Sequence, residues 1–427
     1  MFKMKLQKTY ILLFIFLFAL IIRLGYVLLF SGGLKYIDSP DSIEYNNYAV
    51  NLIDGNGYRN GEMRSFRPPG YPFFLAGIYI LFGHSYPAVK IIQVVLSAFT
   101  CVIIFLIGSE IGGRRIAVFS GFYSCIFYSL FEMSSHVLSE TLFTFLLCIS
   151  ILFFLKMDKS LFYKIGAPVF LGLATLTRSS TLIFPFFIFI WFVMKYPLKK
   201  AAVNFLLTAV IFFGILTPWT IRNYMVHHAF VPIHIQAGLV FWGANNPIAG
   251  GKWNEHGPNW EKYSQMSELE KDNGYFKEGL TWLKSQPPFP LIKLYVLKTC
   301  VFFYPFFALP DSGYDITYGL ILPFWILGMY GSIKSKDKQS LLLFSVILVF
   351  FVTTLIFYTN ERLRSPICPF VIIFAAIGIY FISDKLRMKN HNYHFFAAWS
   401  ILNILIYLYS EPIHSTIIAA LKKIRGL

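Results

Sequence analysis

YILLFIFLFALIIRLGYVLLF, running from Tyr10 to Phe30, is the stretch that decides the fold class. Arg23 is the one charge in it, and the run reaches the roughly 20 residues a helix needs to cross about 30 Å of hydrocarbon. Lys3, Lys5 and Lys8 precede it as in a secretory signal. The apolar core is longer than such a signal carries and no small-x-small cleavage site follows, so it reads as a retained signal anchor with a cytoplasmic N-terminus.

The rest of the 427-residue chain repeats this pattern, with 56% hydrophobic and 14% charged residues and a mean hydropathy of +0.61. Soluble domains run nearer a quarter charged, so a water-soluble fold is excluded. We read an all-α polytopic membrane protein with about 11 spans, at 9–30, 86–108, 114–131, 138–156, 162–177, 180–195, 200–218, 316–333, 340–358, 366–383 and 395–410. The net charge of +16 would suggest a nucleic-acid partner in a soluble protein. Here the cytoplasmic bias of Lys and Arg accounts for it, and the partner is the bilayer. The five cysteines form neither a disulfide framework nor a metal spacing.

Basic connections at Arg114/Arg115, Lys156/Lys159/Lys164, Lys195/Lys199/Lys200, Lys334/Lys336/Lys338 and Lys385/Arg387/Lys389 belong on the cytoplasmic side. The chain must cross an even number of times between any two of them. That parity makes 162–195 two short crossings turning near Thr177 to Ser180, and it places 31–85, 132–137, 219–315 and 359–365 outside. No repeat relates the halves, so the inverted-repeat plan of many transporters has no support.

In the first outside loop Ser39 is placed to cap a helix, Pro40 suits its first turn and Gly55 its end. On such a helix Asp41, Glu44, Tyr45 and Tyr48 share one face. Arg67-Pro68-Pro69-Gly70 follows, and then an apolar stretch to Phe82 too short to span comfortably. Glu140 lies one turn into the fourth span near Glu132 and His136, and an ionisable group at that depth needs a partner or water. Arg362 and Arg364 stand in a short outside turn where Lys and Arg should be scarce, and Arg222 opens the long outside loop. Guanidinium forks match phosphate oxygens, so all three either hold a lipid phosphate or snorkel to the headgroups. Asn245-Asn246-Pro247, among aromatics and glycines, suits either sugar binding or an interfacial loop, and Ser267-x-x-Glu270 is a capping box opening an amphipathic helix. No Gly-rich phosphate loop, dinucleotide fingerprint, zinc helix or nucleophile elbow is present.

Taken in order, Asp41-x-x-Glu44-Tyr45, Arg67-Pro68-Pro69-Gly70-Tyr71-Pro72, Leu138-Ser139-Glu140-Thr141-Leu142, Pro218-Trp219-x-x-Arg222-Asn223-Tyr224, Asn245-Asn246-Pro247 and Arg362-x-Arg364-x-Pro366 make the chain resemble the GT-C glycosyltransferases. The branch it is similar to holds the protein O-mannosyltransferases and the lipid A aminoarabinose transferase. It departs from that branch at Ser42, where the second acid of the family's early motif stands.

The resemblance implies a GT-C bundle with extracytoplasmic loop helices in the inner cell membrane. It implies a catalytic module at 1–315, completed on the carrier side by the helices of 316–427. The implied reaction is inverting transfer of a hexosyl or pentosyl group from a polyprenyl-phosphate carrier to a lipid, glycan or protein acceptor outside the cytoplasm. Asp41 would be general base with Glu44 and Glu140 as further acids, and Tyr45, Arg67, Arg222, Asn245, Asn246, Arg362 and Arg364 would hold substrate. A divalent cation, Mg2+ or Mn2+, would fall to Asp41, Glu140 and His136. The rival readings are a lipid-linked sugar flippase or transporter, with Arg23 as its membrane charge, and a membrane protein like O-antigen ligases and polymerases.

Overall fold

A computed structural model describes residues 2–35, 39–248, 261–306, 313–385, 393–411 and 413. A helix occupies each expected span. Among the described residues six helices are long and apolar enough to cross a membrane: Gln7–Leu29, Tyr86–Ile126, Leu198–His227, Ile316–Lys334, Lys338–Ile356 and Arg362–Ser383. Gly70–Phe82, Leu161–Thr177, Ser179–Lys195 and Phe396–Leu408 are shorter apolar helices. The protein is a multi-pass membrane protein, and its surface agrees. Phe14, Ile21, Leu28, Ile80, Leu81, Phe186 and Leu206 are all more than half exposed in the isolated chain, an apolar exterior that only lipid satisfies.

The 41-residue segment Tyr86–Ile126 crosses twice. It folds back at Gly112 and Gly113, and Gly113 has φ +73°, a left-handed backbone that a side chain strongly disfavours. Beyond Ile126 the chain turns at Phe127 into the short Tyr128–Glu132 helix, so this crossing ends a little before the expected 131. Leu161–Thr177 and Phe184–Lys195 are the two short crossings that parity requires, joined by a turn at Arg178–Thr181.

The core joins both parts of the chain, with Phe143, Trp191, Phe212, Phe350, Phe370 and Ile372 buried in one cluster. The Ile316–Lys334 and Cys368–Lys385 helices touch backbone to backbone. A Cβ at Gly328 would fall 1.8 Å from the carbonyl oxygen of Phe374, and one at Gly378 would fall 1.9 Å from that of Phe324. Such close approach through small residues is how helices associate where lipid removes the hydrophobic drive.

The two ends of the bundle differ chemically. At one end Lys156 and Lys159 pair with Glu110 (3.6 and 2.7 Å), and Lys195 and Lys200 pair with Asp158 (3.1 and 3.4 Å). These belong to the connections that charge bias assigns to the cytoplasm. The other end gathers the loop helices.

Pro40–Ile53 starts as expected, with the Ser39 hydroxyl accepting from the amide of Ser42 and Pro40 in the first turn. Its end also matches, with Gly55 at φ +76° just past the last turn. Glu268–Ser285 opens with the expected capping box of Ser267 and Glu270. Among the described residues of the long loop are two helices not anticipated, Ala237–Ala244 and Pro288–Phe303.

Candidate functional site

Asp41 sits in the first turn of Pro40–Ile53 and Glu140 is the first residue of Glu140–Lys156, so both carboxylates meet the positive end of a helix dipole. Three arginines from three other segments converge on them. Arg67 donates from Nη2 to Asp41 Oδ1 and from Nε to Glu44 Oε2, both at 2.6 Å. Arg362 donates from Nη1 to Asp41 Oδ2 at 2.8 Å and from Nε to Glu140 Oε1. Arg178 reaches the same Glu140 oxygen at 2.8 Å and the Ser139 hydroxyl at 3.1 Å.

The result is an alternating row: Glu44, Arg67, Asp41, Arg362, Glu140, Arg178. Three negative and three positive charges cancel in it. Glu140 is wholly buried, while the side chains of Asp41 and Arg362 keep 28% and 29% exposure, so the row opens at its middle. Burial alone would push the Asp41 carboxyl up, but the guanidiniums of Arg67 and Arg362 win and hold it well below the usual carboxylate range.

Tyr45 lies beneath the row. Its hydroxyl donates to Ser139 Oγ at 3.3 Å and its ring faces the Arg67 guanidinium at 5.2 Å. Tyr48, on the same expected stripe, turns away and donates to the carbonyl of Met63 at 3.1 Å.

The segment carrying Arg67 is locked from behind by Arg222. That residue donates to the carbonyls of Arg64 (2.8 Å) and Tyr58 (3.0 Å) and to Ser65 Oγ (2.8 Å), and lies over Trp219 at 4.8 Å. Glu268 accepts from the amides of Arg64 (2.9 Å) and Ser65 (3.1 Å), and Tyr58 donates to the carbonyl of Arg67 at 2.7 Å.

The remaining candidates are placed apart from the row. Asn245 donates to the carbonyls of Phe241 (2.7 Å) and Ile356 (3.1 Å) and accepts from the buried Lys298 ammonium at 3.0 Å. Asn246 donates to the carbonyl of Trp242 and accepts from the amide of Ile248, both at 2.9 Å. Arg364 is buried, donates to the carbonyls of Tyr304 (2.5 Å) and Phe302 (3.3 Å), and lies 3.9 Å from the centre of the Tyr318 ring. His136 is turned to Glu132, 2.8 Å away.

Arg23, the charge a transporter would use, is sealed. It donates to Ser97 Oγ at 2.7 Å, to Cys101 Sγ at 3.0 Å and to the carbonyls of Ala19, Ser124 and Cys125. Those last two carbonyls end the Tyr86–Ile126 helix.

Sequence reasoning missed Arg178 and His234. Arg178 was within reach, because its turn lies by parity on the same side as 359–365 and breaks the charge bias in the same way. His234 gave no signal beyond being a histidine in a loop. Burial and then the charges of Arg67 and Arg178 push its imidazole down to about 4.

A model of the dolichyl-phosphate-mannose-protein mannosyltransferase family matches residues 66–221, which include Arg67, Glu140 and Arg178. Among curated protein sequences none matches the chain. The archaeal oligosaccharyltransferase AglB from Archaeoglobus fulgidus, solved with an inhibitory peptide and a dolichol-phosphate, superposes with a TM-score of 0.57 at 13% identity. The match covers 95% of this chain and 55% of AglB, so the chain spans about half the length of that enzyme. The same oligosaccharyltransferase in complex with Zn and sulfate gives a TM-score of 0.56 at 14% identity, covering 94% and 52%. ArnT from Cupriavidus metallidurans, bound to undecaprenyl phosphate, superposes more loosely, with a TM-score of 0.43 at 12% identity over 86% and 76%. The chain therefore shares the fold of the matched part of that archaeal oligosaccharyltransferase.

Proposed function

We propose that the chain transfers a sugar from a polyprenyl-phosphate carrier to an acceptor on the extracytoplasmic side of the cell membrane. The observation that carries this reading is the alternating row, which sets three guanidiniums and a partly open carboxylate at the membrane end away from the lysine-rich connections. A sugar held on a lipid phosphate brings its own leaving group. What the protein must supply is cationic stabilisation of the departing phosphate and a base for the acceptor hydroxyl.

The row supplies both in one exchange. At rest the carboxylates keep the guanidiniums extended and Asp41 is a poor base, because two cations hold its charge. A phosphate competes for the same forks, since guanidinium binds phosphate and carboxylate by the same paired donors. As Arg67 and Arg362 turn to the phosphate, Asp41 loses the partners that depressed it and regains basicity. It then takes the proton of the acceptor hydroxyl while that oxygen attacks the anomeric carbon. The bond from that carbon to the phosphate oxygen breaks with its electron pair going to the phosphate. One in-line displacement inverts the anomeric centre.

Arg362 belongs to 316–427, the part expected to complete the carrier side, and the other members of the row precede residue 316. A Mg2+ or Mn2+ ion takes oxygen donors such as those of Asp41 and Glu140. Both Asp41 oxygens and Oε1 of Glu140 already meet a guanidinium, so a cation at these positions competes with Arg362. His136, paired with Glu132, is not part of that set. The steps above therefore use the chain's own groups.

The transporter reading is the weaker one, because Arg23 is engaged by side chains and carbonyls of its own helix and of Tyr86–Ile126, while the row of paired charges sits at one end of the bundle. The deciding experiment is turnover of purified protein with a polyprenyl-phosphate hexose or pentose and envelope lipid or glycan acceptors. Product with an inverted anomeric linkage supports the reading. Transbilayer movement of the intact carrier without cleavage in proteoliposomes would replace it with the flippase.

A further inference from the structure

The helix Glu268–Ser285 uses two of its sides. Its first residue reaches back toward the row, where the Glu268 carboxylate holds the amides of Arg64 and Ser65. Along another side Glu270, Gly274, Glu278 and Trp282 recur every four residues and make one continuous stripe. Two segments are fixed against this helix. A Cβ at Gly274 would fall 2.5 Å from the Tyr263 ring, so only glycine lets Glu261–Tyr263 pack this closely. Ala237–Ala244 is tied on by the Asp272 carboxylate, which accepts from the amides of Gly238 (2.9 Å) and Leu239 (3.0 Å). Between these segments lies a cavity of about 730 Å³, well within the roughly 300–1,000 Å³ of small-molecule sites.

The chemistry of its wall narrows what it can hold. Trp242, Tyr263 and Trp282 give it aromatic faces, and Thr281, Ser285 and Asn246 add hydroxyls and an amide. Both indoles are half-buried, so their rings are held yet reachable. Among the described residues of the wall the charges balance, Lys262 and Lys277 against Glu270 and Glu278. Glu278 pairs with Lys262 and accepts from the Tyr263 hydroxyl at 2.6 Å. Balanced charge offers little to a free phosphate or a polyanion, and a wall this polar does not suit a lipid tail. A neutral polyhydroxyl ring meets every part of it, with its C–H faces on the indoles and its hydroxyls on the carboxylate, ammonium and amide groups.

We propose that this cavity holds the acceptor, as a neutral oligosaccharide, by the sugar units beyond the one whose hydroxyl reacts. This rests on the carrier reading above and narrows the acceptor to a glycan. One side chain joins the cavity to the row. Phe66 packs against the cluster of Leu239, Tyr263 and Tyr275, which Trp242 also joins, and its ring lies 5.3 Å from the Arg67 guanidinium. The carrier phosphate and its sugar take the arginine forks and the neighbourhood of Asp41. None of the row's six members lines the cavity, which is therefore left to the part of the acceptor that does not react. Binding energy gained there, remote from the reacting hydroxyl, positions that hydroxyl at Asp41.

The test is isothermal titration of the full chain, in a detergent whose headgroup is not a sugar, with mannotetraose, maltotetraose, cellotetraose and chitotetraose. At least one is expected to bind saturably with no donor present. Trp282→Ala removes an aromatic wall and should weaken that binding about tenfold or more, as truncating an aromatic anchor does. Thr281→Trp fills the space from an exposed position and should abolish binding, and it decides the matter where a melting curve shows Trp282→Ala unfolded. A polyprenyl phosphate is titrated separately. Carrier binding without binding of any tetrasaccharide, or saccharide binding that survives Thr281→Trp, overturns the cavity and leaves the carrier reading standing. Saccharide binding that Thr281→Trp abolishes, in a protein that binds no polyprenyl phosphate, keeps the saccharide site and overturns the carrier reading. Failure of both titrations overturns both.

Discussion

Replacing Glu140 by glutamine tests whether the row is a coupled set of charges or a collection of neighbours. Glu140 is wholly buried and meets both Arg178 and Arg362 on one oxygen, whereas Gln keeps the shape and loses the charge. Removing one partner of a buried ion pair costs about 3–5 kcal/mol, because the other charge is left uncompensated. The side chains of Arg178 and Arg362 keep 18% and 29% exposure, so solvent recovers part of that. We expect about 2–3 kcal/mol of destabilisation for Glu140→Gln, the range of a partly screened pair.

Arg178 has Glu140 and Ser139 as partners, while Arg362 keeps Asp41. Adding Arg178→Gln to Glu140→Gln should therefore return part of the loss, with a coupling energy of about 1–3 kcal/mol. The measurement is a double-mutant cycle on unfolding in mixed micelles, with stability read from tryptophan fluorescence. Strict additivity of the two substitutions would refute the coupled row, and with it the idea that Arg178 belongs to the site.

The other expectations are separate in their readouts. In a Cys300→Ser background, Glu62→Cys and Ser264→Cys should react with an impermeant thiol reagent on intact cells, while Lys159→Cys and Ser335→Cys should not; the reverse pattern would invert the orientation. Asp41→Asn should lower turnover by about a hundredfold to ten-thousandfold at saturating donor, the usual contribution of a general base, and near-normal turnover would remove Asp41 from that role. Because a cation at Asp41 and Glu140 competes with Arg362, Arg362→Ala should bind Mn2+ more tightly than the wild type in electron paramagnetic resonance titrations, and equal affinity would reject the competition. Arg222→Ala should weaken donor binding by loosening the 58–67 segment, and proteolysis or hydrogen exchange there should rise with it; weaker binding with unchanged protection would instead make Arg222 a direct ligand.

Much of this was legible in the sequence, for identifiable reasons. A span announces itself because every backbone group must be satisfied within a helix and every side chain must tolerate lipid. The cap at Ser39 and the turn at Gly55 were legible because capping is local chemistry. Asp41, Glu44, Glu140 and Arg362 stood out as charges that membrane bias or depth does not explain. What could not be read was which of those charges meet. Arg67 bridging Asp41 and Glu44 and Arg362 bridging Asp41 and Glu140 are contacts made by tertiary folding between helices far apart in sequence.

The same limit explains why Arg222, Arg362 and Arg364 looked alike and are placed so differently. An arginine near a membrane end must be satisfied, and the sequence shows the need without showing the partner. Arg362 is satisfied by two carboxylates, whereas Arg364 is satisfied by the carbonyls of Phe302 and Tyr304, and Arg222 mostly by those of Tyr58 and Arg64. A carboxylate partner can be exchanged for a phosphate at little cost, because one anion replaces another at the same fork. A backbone carbonyl offers no such exchange, and withdrawing the buried Arg364 would strand the carbonyl of Phe302. We expect the arginines held by acids, Arg67, Arg178 and Arg362, to be the ones that exchange a partner for a ligand.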